Sequence, residues 1–180
     1  RDSLLKYLLA KEGIAFKTFR DLTLLKNNAI HTPSGGVVEN FDDFYSAWKG
    51  VAITKKIPIY PSEDLLNKFV KFKWGKSVSL TDLGFEKTVF SSGKLVSELD
   101  NPYFFLEAFK EKSLPNYKLK KDFPAANNTS FLSAYNRLGV ISYRRQIKDA
   151  VAAINCPNPK IKASSEAWLE KLARREFYYQ

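Results

Sequence analysis

A hydroxyl-rich stretch between residues 127 and 133 is the part of the chain best suited to bind a ligand. Thr129 and Ser130 follow two asparagines at a turn, and Ser133 is placed to cap a short helix that Gly139 then ends. Hydroxyl groups beside the unpaired backbone N–H groups of a helix start form a cradle that favours anions, as does the helix dipole. A phosphate fits such a cradle. The alternative is that these residues only cap their own helix.

The charge balance also favours an anionic partner. Among the 180 residues, 29 Lys and Arg stand against 19 Asp and Glu, which gives a formal net charge of +10. Residues 117–180 hold 12 Lys or Arg and 5 Asp or Glu, a net of +7, and leave +3 for the first 116 residues. Nucleic acid is the first candidate for such a basic surface. A solvated basic face without a partner is the alternative.

Several other kinds of chemistry are disfavoured by composition. Cys156 is the only cysteine and His31 the only histidine, which argues against a disulfide framework, a Cys/His metal site and a Ser-His-Asp device. A single cysteine predicts a reducing, cytoplasmic location. No apolar run approaches the roughly 18 residues of a membrane span. With 44% hydrophobic and 27% charged residues, the chain is expected to fold around a core.

The elements that position the hydroxyl-rich stretch can be predicted along the chain. Leucines at helical spacing predict a helix over residues 3–12, ended by Gly13, and residues 14–19 alternate as in a strand. Asn40 predicts the cap of a second helix with an aromatic face. That face holds Phe41, Phe44, Tyr45 and Trp48.

The second half of the chain is predicted to be all helical. Residues 50–100 lack sustained periodicity and read as a connector, with one modest helix after Ser62. A cap at Asn101 followed by Pro102 then opens a series of helices. These are expected at about 102–112, 114–122, 133–138, 142–154 and 164–179.

The segment around the hydroxyls resembles a known family. Its pattern Y-x4-D-F-P-A-x3-T-S-x-L-S-x-Y-x-R-x-G-x-I-S, from Tyr117 to Ser142, is similar to the opening of the FAD-binding domain of the DNA photolyase/cryptochrome family. The later run AWLEKLARREFYYQ resembles the W-x-x-E-L-x-W-R-E-F-Y helix of that family. Upstream, RDSLLKYLLAKEGIAFKTFRDLTLL and the TPSGG-to-FDDFYSAW segment look like the end of its α/β antenna domain.

This resemblance implies a fold that is mainly α with a small α/β remnant. It is an incomplete photolyase-like fold, with a partial Rossmann-like end and the first part of an all-α FAD-binding domain. Residues 1–50 would end the antenna domain, 51–101 form the linker, and 102–180 begin the helical domain. We therefore expect an interior fragment, monomeric, that alone neither holds FAD tightly nor repairs DNA.

The resemblance also assigns candidate site residues, position by position. No residue is assigned a catalytic or metal-binding role. The residues that match flavin contacts are Tyr117, Thr129, Ser130, Leu132, Ser133, Trp168 and Arg175. The residues that match DNA contacts are Lys171, Arg174 and Tyr178, on an adjacent strip of the later helix, and Lys121. A solvated charged flank is the alternative for that strip.

Three positions depart from the family pattern. Phe131 stands where the family usually has Arg, Lys171 replaces the usual Glu, and Arg174 replaces the Trp that packs against a flipped pyrimidine dimer. Loss of that ring removes a stacking platform of about 1–3 kcal/mol per base, by analogy with single-strand binding. Arginine can still stack on a ring as a cation.

The function implied is light-driven, FAD-dependent repair of pyrimidine dimers by a photolyase, a lyase in which reduced FAD lends an electron to the dimer. DNA is then the partner, and FAD the cofactor of the complete protein. The antenna chromophore, whose contacts lie mostly outside this sequence, stays unassigned. The alternatives are a cryptochrome-type blue-light photoreceptor and a basic, helical DNA-binding module without flavin.

Overall fold

The computed structural model is helical. It describes residues 2–18, 22–26, 29–60, 63–70, 75, 78–79, 81–85 and 102–179. The α-helices in this part of the chain are α1 (Asp2–Lys11), α2 (Phe41–Thr54), α3 (Pro102–Ala108), α4 (Tyr117–Lys120), α5 (Ser133–Leu138), α6 (Tyr143–Ile154) and α7 (Pro159–Phe177). Shorter 3-10 turns cover Glu63–Lys68, Leu114–Asn116 and Pro124–Ala126, and a π-helical turn covers Phe109–Ser113.

The first helix forms as predicted, but the strand after it does not. α1 ends before Gly13, whose φ of +69° suits a residue without a side chain. Residues 14–18 have no regular secondary structure, and Phe19 lies outside the described residues. A strand needs a neighbour for its backbone groups, and the described residues offer it none. The predicted α/β remnant and Rossmann-like end are therefore not confirmed.

The aromatic helix α2 forms as predicted and packs into the core. The Asn40 side chain accepts hydrogen bonds from the backbone N–H groups of Asp42 and Asp43, at 2.8 and 3.3 Å. Phe44 and Trp48, one turn apart, are both fully buried. The predicted apolar face of α2 is confirmed, and it anchors the first part of the chain to the helices of the second half.

The predicted connector is described only in pieces. α2 extends to Thr54, so its last four residues lie within the predicted linker. The helix predicted after Ser62, a residue outside the described part, is the 3-10 turn Glu63–Lys68. Its apolar residues Leu65 and Leu66 are exposed, so no core face supports a longer α-helix there. The domain boundaries stay a prediction.

The helices of the second half match the prediction, with three differences. The first is that the helix expected at 102–112 ends at Ala108 and is followed by the π-helical turn Phe109–Ser113. Asn101, the expected first cap, lies outside the described residues, and α3 starts at Pro102. The helix expected at 114–122 is a 3-10 turn followed by the short α4. α7 begins at Pro159, five residues earlier than predicted, because Asn158 caps it by accepting the N–H of Lys160 at 3.0 Å.

The core lies where α7 packs against α6, α4 and α2. Trp48, Leu106, Ile147 and Leu169 are fully buried within it. Because α7 is the longest helix and touches elements on several sides, its faces decide what each part of the core can do. Among the described helices, none is both long and apolar enough to span a membrane.

Candidate functional site

A cavity of about 410 Å³ opens beside α7, within the size range of ligand sites. α4, α5, α6 and α7 supply most of its wall. The lining residues are Tyr117, Ser130, Ser133, Asn136, Arg137, Gln146, Trp168, Lys171, Leu172, Arg175 and Tyr179. Three of these side chains are cationic and none is acidic, so the cavity favours an anionic ligand.

Five of the seven residues matched to flavin contacts line this cavity. They are Tyr117, Ser130, Ser133, Trp168 and Arg175. Leu132 lies in the core with 1% of its surface exposed, where it anchors the loop. Thr129 is exposed at the surface and is not among the lining residues. The structure therefore brings together residues that are up to 58 positions apart in the sequence.

One wall of the cavity is aromatic and tightly held. The rings of Tyr117 and Trp168 both meet Phe109 edge to face, with ring centroids 5.4 and 5.1 Å apart. Both are buried, with 7% and 3% of their surfaces exposed. Burial raises the pKa of the Tyr117 hydroxyl, so this group stays protonated and able to donate a hydrogen bond at neutral pH.

The hydroxyl-bearing loop reaches α5 through an unusual backbone turn. Phe131 has a φ of +54°, in the left-handed region that bulky residues rarely adopt, and Leu132 follows at φ −88° and ψ 0°. Alternation of left- and right-handed residues turns successive backbone N–H groups towards one side, as in anion-binding nests. The amide of Asn128, a buried residue, donates to the Ser113 carbonyl at 3.0 Å and fixes the loop.

The predicted cap of α5 is wrong. The N-cap position belongs to Leu132, whose side chain accepts no hydrogen bond, and Ser133 is the first helical residue. The left-handed turn at Phe131 brings the chain into the helix one residue too early for Ser133 to cap it. The Ser133 hydroxyl lines the cavity instead.

Arg175 is fixed by contacts on several sides. Its guanidinium lies over the rings of Tyr143 and Tyr179, 4.6 and 4.8 Å from their centroids. It also donates to the Leu22 carbonyl at 2.6 Å and lies 3.5 Å from the carbonyl of Asn136. These contacts hold a positive charge in place at the cavity wall, as a preformed anion site requires.

Sequence reasoning missed a backbone clamp at the end of α7. The buried Glu176 carboxylate accepts the N–H groups of Leu24 and Leu25 at 2.9 and 2.7 Å, while Arg144 donates to the Thr23 carbonyl at 3.1 Å. Burial raises the pKa of Glu176, and the two backbone hydrogen bonds offset part of this rise. The REFY run at residues 175–178 was the part of the sequence that could have indicated this clamp. Its backbone partners lie about 150 residues away in the sequence, so no local pattern connects them.

Asn136 and Gln146 were also missed as lining residues. Their side-chain amides pair with each other, with Gln146 Nε2 donating to Asn136 Oδ1 at 2.6 Å and Asn136 Nδ2 to Gln146 Oε1 at 3.3 Å. The pair joins α5 to α6 at the base of the cavity. Arg137 is a third missed lining residue. It belongs to the sequence pattern that resembles the family, and this was the available indication of a further cation in the cavity wall.

Of the residues matched to DNA contacts, Arg174 packs against α2, whereas Lys121 and Lys171 both lie near Asp122. Lys171 is exposed and borders the cavity, whereas Arg174 stacks over the Phe41 ring at 3.8 Å and pairs with Glu170 at 3.1 Å. Lys121 donates to Asp122 and lowers the pKa of that carboxyl. Tyr178 is 76% exposed at the end of α7.

The contacts between α2 and α7 pair charges across the interface. Lys49 lies 3.6 Å from the Glu166 carboxylate. Burial of Tyr45, together with the nearby charges of Glu170 and Glu166, raises the pKa of its hydroxyl to about 12. Burial first, and then the nearby carboxylates, oppose ionisation of the Tyr45 hydroxyl. At neutral pH this interface therefore consists of neutral rings and paired ions.

These features define the class: a helical segment with an anion-favouring cavity built from a hydroxyl-rich loop and a long helix. Comparison with known proteins then specifies the relationship. No family model matches the chain. It is similar over 99% of its length to curated proteins named deoxyribodipyrimidine photo-lyase, from Vibrio cholerae at 26% identity and Alkalihalophilus pseudofirmus at 27%. A third, from Buchnera aphidicola, is 28% identical.

The resemblance to the photolyase family predicted from the sequence is confirmed by these three relatives. The chain spans 36–37% of their length. The similarity therefore concerns a segment of each relative, and it includes both the hydroxyl-rich loop and α7.

Proposed function

We propose that the cavity is part of the FAD site of a light-driven DNA photolyase that repairs pyrimidine dimers. The observation that carries this proposal is the gathering of Tyr117, Ser130, Ser133, Trp168 and Arg175 around one acid-free cavity. Each was matched to a flavin contact from sequence alone, and all five are lining residues. The photolyase names of the three relatives support the same function.

The residues of the chain would bind and orient the cofactor and supply no acid or base. The nest at Phe131 and the hydroxyls of Ser130 and Ser133 suit the phosphates, as does the charge of Arg175. Leu132 holds the loop from the core side, and Thr129, which is exposed on the same loop, is the remaining proposed contact. A reduced flavin, when bound, supplies the electron for dimer splitting, while the protein supplies binding and electrostatics.

DNA is the proposed partner of the basic surface. The net charge of +10 supports binding to phosphates, which is salt-dependent and largely independent of sequence. Lys121, Lys171 and Tyr178 are the proposed contacts at or near the cavity mouth. Arg174 is retained as a proposed contact through its outer edge, since its guanidinium face is already stacked on Phe41.

The test is an equilibrium titration of the 180-residue chain with FAD, followed by quenching of flavin fluorescence. We expect saturable one-to-one binding that is too weak to survive gel filtration, because the cavity is open to solvent on one side. Ser133→Asp places a negative charge at the cavity wall and should abolish binding. Ser46→Asp, on an exposed part of α2, is the matched control and should leave it unchanged.

Two outcomes would reject the flavin site. One is the absence of saturable binding at millimolar FAD, and the other is equal binding by both aspartate variants. Salt-sensitive binding to DNA without any flavin binding would instead favour the simple basic DNA-binding module.

A cryptochrome-type photoreceptor is the second candidate, and one contact favours it. Arg174 occupies the position expected for the ring that packs against a flipped dimer, and it stacks within the protein on Phe41. A site without that stacking ring retains the flavin cavity but binds a flipped, damaged base less tightly. Equal affinity for intact and dimer-containing DNA would support this candidate over photolyase.

A further inference from the structure

The cavity wall holds three cations in very different situations. Arg175 donates to the Leu22 carbonyl and lies over two tyrosine rings. Arg137 lies 3.5 Å from the Tyr179 hydroxyl. Lys171 is exposed and makes no ion pair with any residue that the structure describes. Its ammonium group therefore has the greatest freedom to meet a ligand.

The loop that lines the cavity together with Lys171 offers hydroxyl and N–H groups but no cation. The residue between Ser130 and Leu132 is Phe131, a half-exposed ring with no charge. Among the described residues, Asp122 is a carboxylate close enough to Lys171 for their charges to interact. The pKa of Asp122 is lowered first by the hydrogen bond from Lys121, and also by the charges of Lys121 and Lys171. Lys121 makes the direct hydrogen bond to Asp122, whereas Lys171 interacts with this carboxylate only through its charge.

We propose that Lys171, named above among the DNA contacts, instead binds the phosphate part of the ligand in the cavity. Its ammonium contacts the phosphate part of the ligand and supplies positive charge that the loop lacks. This inference rests on the proposed function for the identity of the ligand, but its chemistry requires only a diphosphate. Lysine acts here as a point charge, so its contribution falls as salt rises.

The test compares ligands that carry a diphosphate with ligands that lack it. FAD and inorganic pyrophosphate form the first group, and riboflavin forms the second. Lys171→Gln should weaken FAD and pyrophosphate binding about five-fold, the size of one partly exposed ion pair, and leave riboflavin within about two-fold. Lys171→Glu should weaken the first group further. The salt dependence of FAD binding should also become less steep in Lys171→Gln.

Lys162 supplies the matched control. It is exposed on the same helix, half a rotation away from Lys171, and is not a lining residue. Lys162→Gln should change none of the three affinities. If Lys171→Gln alters riboflavin as much as FAD, or behaves like Lys162→Gln, the inference is wrong.

Failure of the flavin proposal is distinguishable from failure of this inference. If the chain binds pyrophosphate in a Lys171-dependent way but not FAD, the cavity is an anion site and only the flavin proposal fails. If the chain binds neither pyrophosphate nor FAD, both are wrong.

Discussion

Two opposite faces of α7 use similar residues for different purposes. The cavity face consists of Trp168, Lys171, Leu172 and Arg175, and the packed face of Glu166, Glu170, Arg174 and Phe177. On the packed face each charge has a partner or a ring, and Phe177 meets Phe41 and Phe44 with centroids 5.6 and 5.3 Å apart. On the cavity face the cations border open space.

The difference shows that proximity in sequence does not define a surface. Lys171 and Arg174 are three residues apart and were both matched to DNA contacts. Three steps along an α-helix turn the direction by about 60°, enough here to place one side chain at the cavity and the other against α2. One face is therefore expected to control ligand binding, and the other chiefly stability.

The largest expected effect tests whether the cavity face is also core. Trp168→Ala removes a ring that is 3% exposed and packed against Phe109, and should lower the free energy of unfolding by about 3–5 kcal/mol. Urea denaturation followed by far-ultraviolet circular dichroism measures the change. Trp168→Phe keeps an aromatic edge and should lose much less. Wild-type stability in Trp168→Ala would show that the cavity wall is not part of the core.

Glu176 sharpens the comparison, because its charge is buried but is matched by backbone groups. Glu176→Ala leaves one buried and one partly buried N–H donor without this acceptor and should lower the free energy of unfolding by about 2–3 kcal/mol. Glu176→Gln keeps one acceptor and should lose about half of that. Denaturation of both variants at neutral pH gives the two values.

The same residue gives a pH dependence with a definite sign. Burial raises the pKa of Glu176 in the folded state, so its stabilising contribution is fully present below the unfolded-state pKa and is lost as pH rises through the folded-state value. The stability of the wild type relative to Glu176→Gln should therefore increase as pH falls from 7 towards 4. A decrease would mean that the hydrogen bonds outweigh burial and depress the pKa.

The smallest expected effect compares the two cations directly. Arg174→Gln loses a half-exposed ion pair and the stack on Phe41, and should lower the free energy of unfolding by about 1 kcal/mol without changing FAD binding. Lys171→Gln should change stability by less than about 0.5 kcal/mol. Arg174→Lys keeps the charge but loses the planar stack, and separates the two contributions. Loss of FAD affinity in Arg174→Gln would show that the packed face of α7 also contributes to ligand binding.

Local patterns predicted the helices well and the tertiary contacts poorly. The spacing of Phe44 and Trp48 predicted α2 and its buried face, because an amphipathic pattern carries both pieces of information. α7 starts with a capping asparagine, Asn158, followed by Pro159 at the first helical position. The same local signal predicts the start of α3 at residues 101 and 102, so the true start of α7 was also predictable from the sequence. The strand at 14–19 depended on neighbours that no local pattern supplies.

The candidate site was predictable only in part. Resemblance supplied Tyr117, Trp168 and Arg175, and the structure places all three around one cavity. It did not show that Ser133 enters the helix instead of capping it, since that depends on the left-handed φ of Phe131. Nor did it show that Arg174 faces α2, since this contact joins segments more than 130 residues apart.

The clamp on residues 22–25 gives the cavity a mechanical link to the start of the chain. Arg175 and Glu176 are adjacent in the last turn of α7, and both hold backbone groups of that segment. A ligand that draws Arg175 towards the cavity must compete with, or tighten, its bond to Leu22. By thermodynamic linkage, the segment then affects ligand affinity to the same extent that the ligand affects the segment. The amide hydrogens of Leu24 and Leu25 are natural reporters of cavity occupancy, through the rate at which they exchange with solvent.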